Sequence, residues 1–382
     1  MNIKLYFRKL WAMDWALFFI VLGLCTASYY FVHSATYMHE SAEMRTIADS
    51  QRLWIIIGFI FYIIAALIDY KIWIKHAHII FLFSLVLLVA VLLFGTVVNN
   101  SKSWIRIGNL PGIQPAEFSK LAFICFAVAV MIRASRKGGI LFILMFILAA
   151  IPMALILKQP DLGSAFVFLP IVYAIMLVGG VKKRYLAIPI ILLISAIIYL
   201  YYYVYKLNHK IPFLKTYQME RILTFFDPNR DPRNAGWTIN QSLIAIGSGG
   251  MEGRGYLQGG QNKLGFLPRD ISYTDFIFSV VAEEFGFRGA SLLIIALTSV
   301  MLLSIKIALK ARDLSGMLLV TGIVAMLFTH TFINIGMTMK VVPITGIPLP
   351  FTSYGGTFMV TCLTAVGLVQ SVWIHRRYTF ST

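Results

Sequence analysis

Ten long apolar runs punctuate this chain, and no other feature limits its fold as strongly. They cover residues 14–32, 53–68, 77–98, 117–132, 140–157, 163–181, 185–204, 275–309, 314–338 and 355–374. Each is long enough, or nearly so, to cross a hydrocarbon core about 30 Å thick as a helix. With 59% of its 382 residues hydrophobic and 13% charged, the chain carries more apolar surface than a water-soluble core can bury. The pattern predicts an all-α polytopic membrane protein, a single integral domain over 1–382 with a large loop at 205–274. Lys4, Arg8 and Lys9 and the His33-Ser34-Ala35 neighbourhood resemble signal-peptide flanks. The length of the first run and the spans behind it favour a retained helix.

A net charge of +17 would suit nucleic acid, but the positions of the charges argue otherwise. Alternate loops divide Lys and Arg very unevenly. One set holds Lys4, Arg8, Lys9, Lys71, Lys75, Arg133, Arg136, Lys137, Lys182, Lys183, Arg184, Lys306, Lys310, Arg312, Arg376 and Arg377. The short loops opposite hold only Arg45, Arg52, Lys102, Arg106, Lys158 and Lys340. This asymmetry places both termini in the cytoplasm and 205–274 outside. Long loops translocate regardless of charge, so the loop's own basic residues do not disturb the assignment. Phe225, Phe226, Trp237, Leu243, Ile244 and Ile246 predict a folded loop lying on the outer membrane surface. Cys25, Cys125 and Cys362 all fall inside apolar runs, which speaks against a disulfide framework or a metal motif.

The polar residues that break the apolar pattern are the functional candidates. Asp275 opens the eighth run, with Glu283 and Glu284 two to three turns deeper. Charges at such depth are expensive and face a bundle interior or a wet cavity; the plain alternative for Asp275 is a helix N-cap. As one helix the run would be about 52 Å long, so it should tilt, project, or break near Gly286 and Gly289. Glu117 and Lys120 share a helical face at i,i+3. Trp104 sits where an interfacial aromatic would sit, Asp161 where a cap would, and Lys340 where a snorkelling lysine would. The stretch 247–255, GSGGMEGRG, lacks the strand and lysine of a phosphate loop. Its glycines suit tight turns or close approach of lipid and sugar. Prolines and glycines at 339–356 exclude a regular helix, and such backbone survives beside a membrane only where protein buries it or a wet cavity meets it. All these features except Glu283, Glu284 and Arg288 lie on the outer side. A transporter would show comparable polar groups at mid-depth and within.

Five stretches carry a resemblance: QPAEFSK, QPDLGSA, QSLIAIGSGGMEGRG, LPRDISYTDFIFSVVAEEFG and PITGIPLPFTSYGG. Together they resemble the signatures of the SEDS family (shape, elongation, division and sporulation), over nearly the whole chain and in the same order. PITGIPLPF is closer to the RodA-like branch, which serves elongation and rod shape, than to the FtsW branch. The resemblance implies a peptidoglycan glycosyltransferase of the bacterial cytoplasmic membrane that polymerises lipid II, an undecaprenyl-diphosphate-linked substrate, beside a class B penicillin-binding protein. Asp275 matches the family's essential aspartate. Trp104, Glu117, Lys120, Asp161 and Arg221 match positions around its outer cavity. Arg221 and Lys340 are the candidates for stabilising the departing diphosphate. A divalent cation, Mg or Mn, can assist there, although no dedicated ligand cluster is visible. Ala116, Thr357-Phe358 and Arg288 depart from the family pattern, and Arg288 is expected to pair with Glu284 at i,i+4. A lipid II flippase and a non-catalytic scaffold of the wall-synthesis complex are the competing readings.

Overall fold

Apolar segments in lipid must satisfy their own N–H and C=O groups, and the α-helix does so within each segment. The computed structural model follows that rule; it describes residues 3–37, 46–98, 101–106, 112–134, 138–199, 201–203, 219, 223–227, 231 and 235–376. In chain order the helices begin with α1 Ile3–Trp11, α2 Trp15–Thr36, α3 Ile47–Leu67, α4 Tyr70–Lys75 and α5 Ala77–Phe94. Then come α6 Pro115–Arg133, α7 Gly139–Lys158, α8 Leu162–Phe166, α9 Phe168–Val178 and α10 Lys183–Tyr199. Further along the chain follow α11 Ala235–Ser248, α12 Gly260–Lys263, α13 Arg269–Ser272, α14 Ile277–Leu309, α15 Leu314–Thr338 and α16 Gly356–His375. Among the described residues nine helices are long and apolar enough to cross a membrane.

The sixth predicted span is a broken one. It forms as α8 and α9 with Val167 between them. Pro170 has no N–H for the carbonyl of Phe166 and crowds it, which interrupts the ladder there. The third run stops earlier than predicted, at Phe94. Gly95 ends the helix, and β-branched Thr96–Val98 (β1) pairs antiparallel with Ser101–Trp104 (β2).

α6 and α16 form the middle of the bundle, with α16 lying along α3 and α6 against α5 and α15. The loops predicted to be cytoplasmic meet at one end. Gln370 bonds Asp14 both ways, Ser371 donates to the Ile68 carbonyl, and Lys71 pairs with Asp313 at 2.9 Å. At the opposite end Gln51 donates to Ser28 and to the Ser353 carbonyl, and Ser28 donates to the Thr352 carbonyl.

α14 breaks at Gly286, which adopts φ 62° and ψ −164°. The break leaves backbone groups without their helical partners, and 250–255 supplies new ones. Phe287 N–H donates to Gly250 O at 2.8 Å, Arg254 N–H to Glu283 O at 3.0 Å, and Gly255 N–H to Glu284 O at 2.9 Å. A Cβ at Gly253 would collide with the Glu284 carbonyl. The glycine-rich stretch therefore serves close approach of backbone to backbone. Glu283 and Glu284 face the interior of the protein, one of the two placements expected of them. Both are buried: Glu283 accepts from Gln261 N–H at 2.8 Å and Glu284 from Ser34 Oγ. Arg288 does not reach Glu284 either, but pairs with exposed Glu252 at 2.8 Å, brought alongside by the same stretch.

Part of the long loop is folded, as expected. α11 packs on α14 through Ser242, which bonds Ser279 Oγ and the Thr338 carbonyl, each at 2.7 Å. Trp237, Leu243 and Ile244 are exposed on the surface of α11.

Candidate functional site

At the end of the bundle away from the termini, the non-helical stretch 339–355 is the element on which the candidate residues converge. With Pro343, Pro348 and Pro350 it cannot form a ladder of its own, so side chains from other elements bind its carbonyls. Asn334 on α15 donates to Ile347 O at 2.7 Å and to Asp275 O at 2.9 Å, joining this loop to the turn before α14. Ser353 Oγ donates to Thr274 O, Leu349 N–H to Ser353 Oγ, and Tyr354 N–H to Tyr273 O. Burial pushes the Tyr273 phenol up to about 12 and raises that of Tyr354, so these packed rings keep their protons.

Asp275 lies half-buried in the turn before α14. The helix starts at Ile277 with Phe276 at its N-cap and no side-chain cap, so the capping role considered for Asp275 is not what holds it. Its backbone N–H is held by Ile271 O at 2.9 Å. Gly346, in a left-handed conformation at φ 74°, passes close by: a Cβ there would stand 3.3 Å from Asp275 Oδ2. The loop thus runs beside the carboxylate with no side chain in between.

Glu117 and Lys120 form the predicted pair, at 2.7 Å, and both are buried. The Lys120 ammonium also lies 3.1 Å from Nε2 of His330, whose Nδ1 lies 3.3 Å from Pro348 O. Asp161 caps α8 through Ser164 N–H at 2.9 Å and accepts from Gln114 Nε2 at 3.2 Å. That brings QPDLGSA against the lead-in to α6. Gly163 packs so tightly on the loop that a Cβ would lie 2.9 Å from Thr345 O.

Trp104 and Lys340 stand apart from this group. Trp104 ends β2 half-buried, and neither its ring nitrogen nor the Lys340 ammonium hydrogen-bonds to Asp275, Glu117 or Lys120 among the described residues. Lys340 takes the left-handed position (φ 57°) that follows α15, with Val341 N–H donating to Gly336 O at 2.7 Å. Arg221 lies outside the described residues. Among those described, no three or more His, Cys, Asp or Glu side chains group as a metal site. Sequence reasoning missed His330, Asn334 and Ser353. The first two lie one turn apart on α15, and their signal was the pair of polar side chains at i,i+4 within an otherwise apolar span.

Known proteins match this arrangement along its whole length. The family model described as a cell cycle protein, FtsW/RodA/SpoVE, matches residues 15–378. The peptidoglycan glycosyltransferase RodA of Treponema pallidum is 32% identical over 94% of this chain and 97% of its own. Peptidoglycan glycosyltransferase MrdB of Escherichia coli is 30% identical over 98% and 97%. A chain of a solved peptidoglycan synthase complex that coordinates polymerization and crosslinking superposes with a TM-score of 0.80, at 27% identity over 96% of this chain and 98% of that one. The rod shape determining protein RodA of Thermus thermophilus superposes at 0.68, with 25% identity over 96% and 98%. On the family match and these full-length relatives, the chain belongs to the FtsW/RodA/SpoVE family.

Proposed function

We propose that this protein is a peptidoglycan glycosyltransferase that polymerises lipid II on the outer face of the cytoplasmic membrane, in the service of rod shape. The observation that carries the reading is the half-buried Asp275 carboxylate beside the side-chain-free backbone of Gly346, at the end of the bundle that also holds the buried Glu117–Lys120 pair. A general base must come within hydrogen-bond reach of the hydroxyl proton it takes, and a carboxylate at the outer end of the bundle is placed for that.

In the proposed step the acceptor hydroxyl gives its proton to Asp275 and its oxygen bonds to the anomeric carbon of the donor. The bond from that carbon to the diphosphate oxygen breaks, and its electron pair leaves with the diphosphate, inverting the centre. Arg221 and Lys340 neutralise the leaving group. Asp161 and the buried Glu117–Lys120 pair hold the walls of the substrate-binding region from within, and Trp104 flanks it. A class B penicillin-binding protein is the proposed partner, consistent with the likeness to a chain of a polymerising and crosslinking complex.

Purified protein supplied with lipid II tests the reading. Asp275→Asn keeps the size of the side chain but not its basicity. It should melt like the wild type and still bind its partner, while losing polymerisation by about 10²-fold or more. Polymer at near wild-type rate from that variant would remove Asp275 from the chemistry; translocated lipid without polymer from the wild type would instead identify a flippase.

A further inference from the structure

The loop that runs beside Asp275 has carbonyls but almost no regular partners, and two side chains one turn apart on α15 bind two of them. Asn334 holds Ile347 O and His330 holds Pro348 O. The ring of His330 is also anchored from behind. Lys120 Nζ has only protons to offer, so Nε2 of His330 must accept at 3.1 Å, which leaves the ring proton on Nδ1, facing Pro348 O at 3.3 Å. The imidazole packs against Phe358 with centroids 4.7 Å apart and is buried. One continuous path therefore runs from Glu117 through Lys120 and His330 to the loop, and Gly346, two residues before Pro348, lies beside the Asp275 carboxylate.

We propose that His330 is a positioning residue for glycosyl transfer: its two ring nitrogens tie the Lys120 ammonium to the Pro348 carbonyl and so set where the 345–348 backbone lies against Asp275. The proposal rests on the reading of Asp275 as the base. It assigns Glu117 and Lys120 a share in the same task. The pair is remote from the chemistry but reaches it through the ring of His330. Pro348 suits the receiving end, because a proline has a carbonyl to offer and no N–H that would need a partner of its own.

Two substitutions separate this role from mere packing. His330→Phe keeps an aromatic ring against Phe358 and removes both hydrogen bonds. His330→Gln keeps an acceptor for Lys120 and a donor for Pro348 O. In steady-state lipid II polymerisation by the full-length protein, His330→Phe should lower kcat about tenfold or more, the scale expected when a catalytic group is displaced by a fraction of an ångström. KM should stay near wild type, and the loss of kcat should remain after normalising to the folded fraction, since the buried Lys120 also loses an acceptor. His330→Gln should return kcat to within about threefold. The proposal is overturned if His330→Phe polymerises at the wild-type rate, if His330→Gln is as impaired as His330→Phe, or if the loss tracks a smaller folded fraction. Asp275→Asn in the same assay keeps the two readings distinguishable. If that variant polymerises, the assignment of the base fails on its own evidence, and the positioning role falls with it. If it is inactive while His330→Phe is not, only the positioning role falls.

Discussion

Lys120 illustrates how a single side chain in the bundle acquires its role. An ammonium buried completely is tolerable only if its protons all find acceptors, and Glu117 and His330 supply two of them. Removing one partner of such a pair strands the other charge, at a cost of about 3–5 kcal/mol. Glu117→Gln and Lys120→Met should therefore each lower both melting temperature and polymerisation. Exchanging the two, Glu117→Lys with Lys120→Glu, restores the pairing but turns a carboxylate toward Nε2 of His330, so that ring must give up its hold on Pro348 O or gain a proton. We expect the exchange to recover stability more fully than activity. Strictly additive losses in that double-mutant cycle would mean that the two residues act independently.

Elements are joined here by single polar residues placed between apolar helices. Asp313 is the clearest at the end of the bundle that holds the termini. It caps α15 through Gly316 N–H at 2.9 Å, accepts from Tyr70 Oη at 3.0 Å and pairs with Lys71, tying α4 to the α14–α15 turn. Burial alone would push its carboxyl up, but the hydrogen bonds from Ser315, Gly316, Lys71 and Tyr70 outweigh burial and hold it at about 2, against an ordinary 3.8. A carboxyl depressed on folding stabilises the fold above its unfolded value and loses that contribution as pH falls toward its folded one. About a third of the Asp313 side chain and about half of the Lys71 side chain are exposed, so the screened contribution is about 1 kcal/mol. Asp313→Asn should lower the melting temperature at pH 7, and the difference from wild type should shrink between pH 4 and about pH 2. A difference that stays constant over that window would show that the cap does not depend on charge. The kink of α14 works by the same economy of contacts: Gly286 turns the chain, and 250–255 takes up the backbone groups that the turn exposes.

At the scale of the molecule, nine membrane-length helices and the broken α8–α9 segment, among the described residues, gather the predicted cytoplasmic loops at one end and the candidate site at the other. The proposed sidedness follows from the uneven lysine and arginine count. It can be checked by labelling, because Cys25, Cys125 and Cys362 are all buried and give little background. Leu264→Cys, at an exposed position of the long loop, should react with a membrane-impermeant maleimide on intact cells. Reaction only after permeabilisation would reverse the topology and move the candidate site to the cytoplasm.

Sequence alone determined the helical character of the spans and about how many there are, and it is the source of the proposed orientation and of the candidate site's stretches. Hydropathy over about 20 residues and the placement of charge are local quantities, summed along the chain, and lipid leaves no alternative to the helix. It also made the Glu117–Lys120 pair legible, because i,i+3 neighbours meet within one helix whatever surrounds them. What only the tertiary structure decided involves partners far apart in the chain. Arg288 chose Glu252 over its helical neighbour Glu284, and of the two buried acids Glu283 found the long loop while Glu284 found Ser34 on α2. His330 and Asn334 looked like incidental polar residues until the loop at 345–348 was laid across them. No periodicity encodes such contacts, since they exist only where proline-interrupted backbone, unable to bond to itself, finds donors on a neighbouring helix.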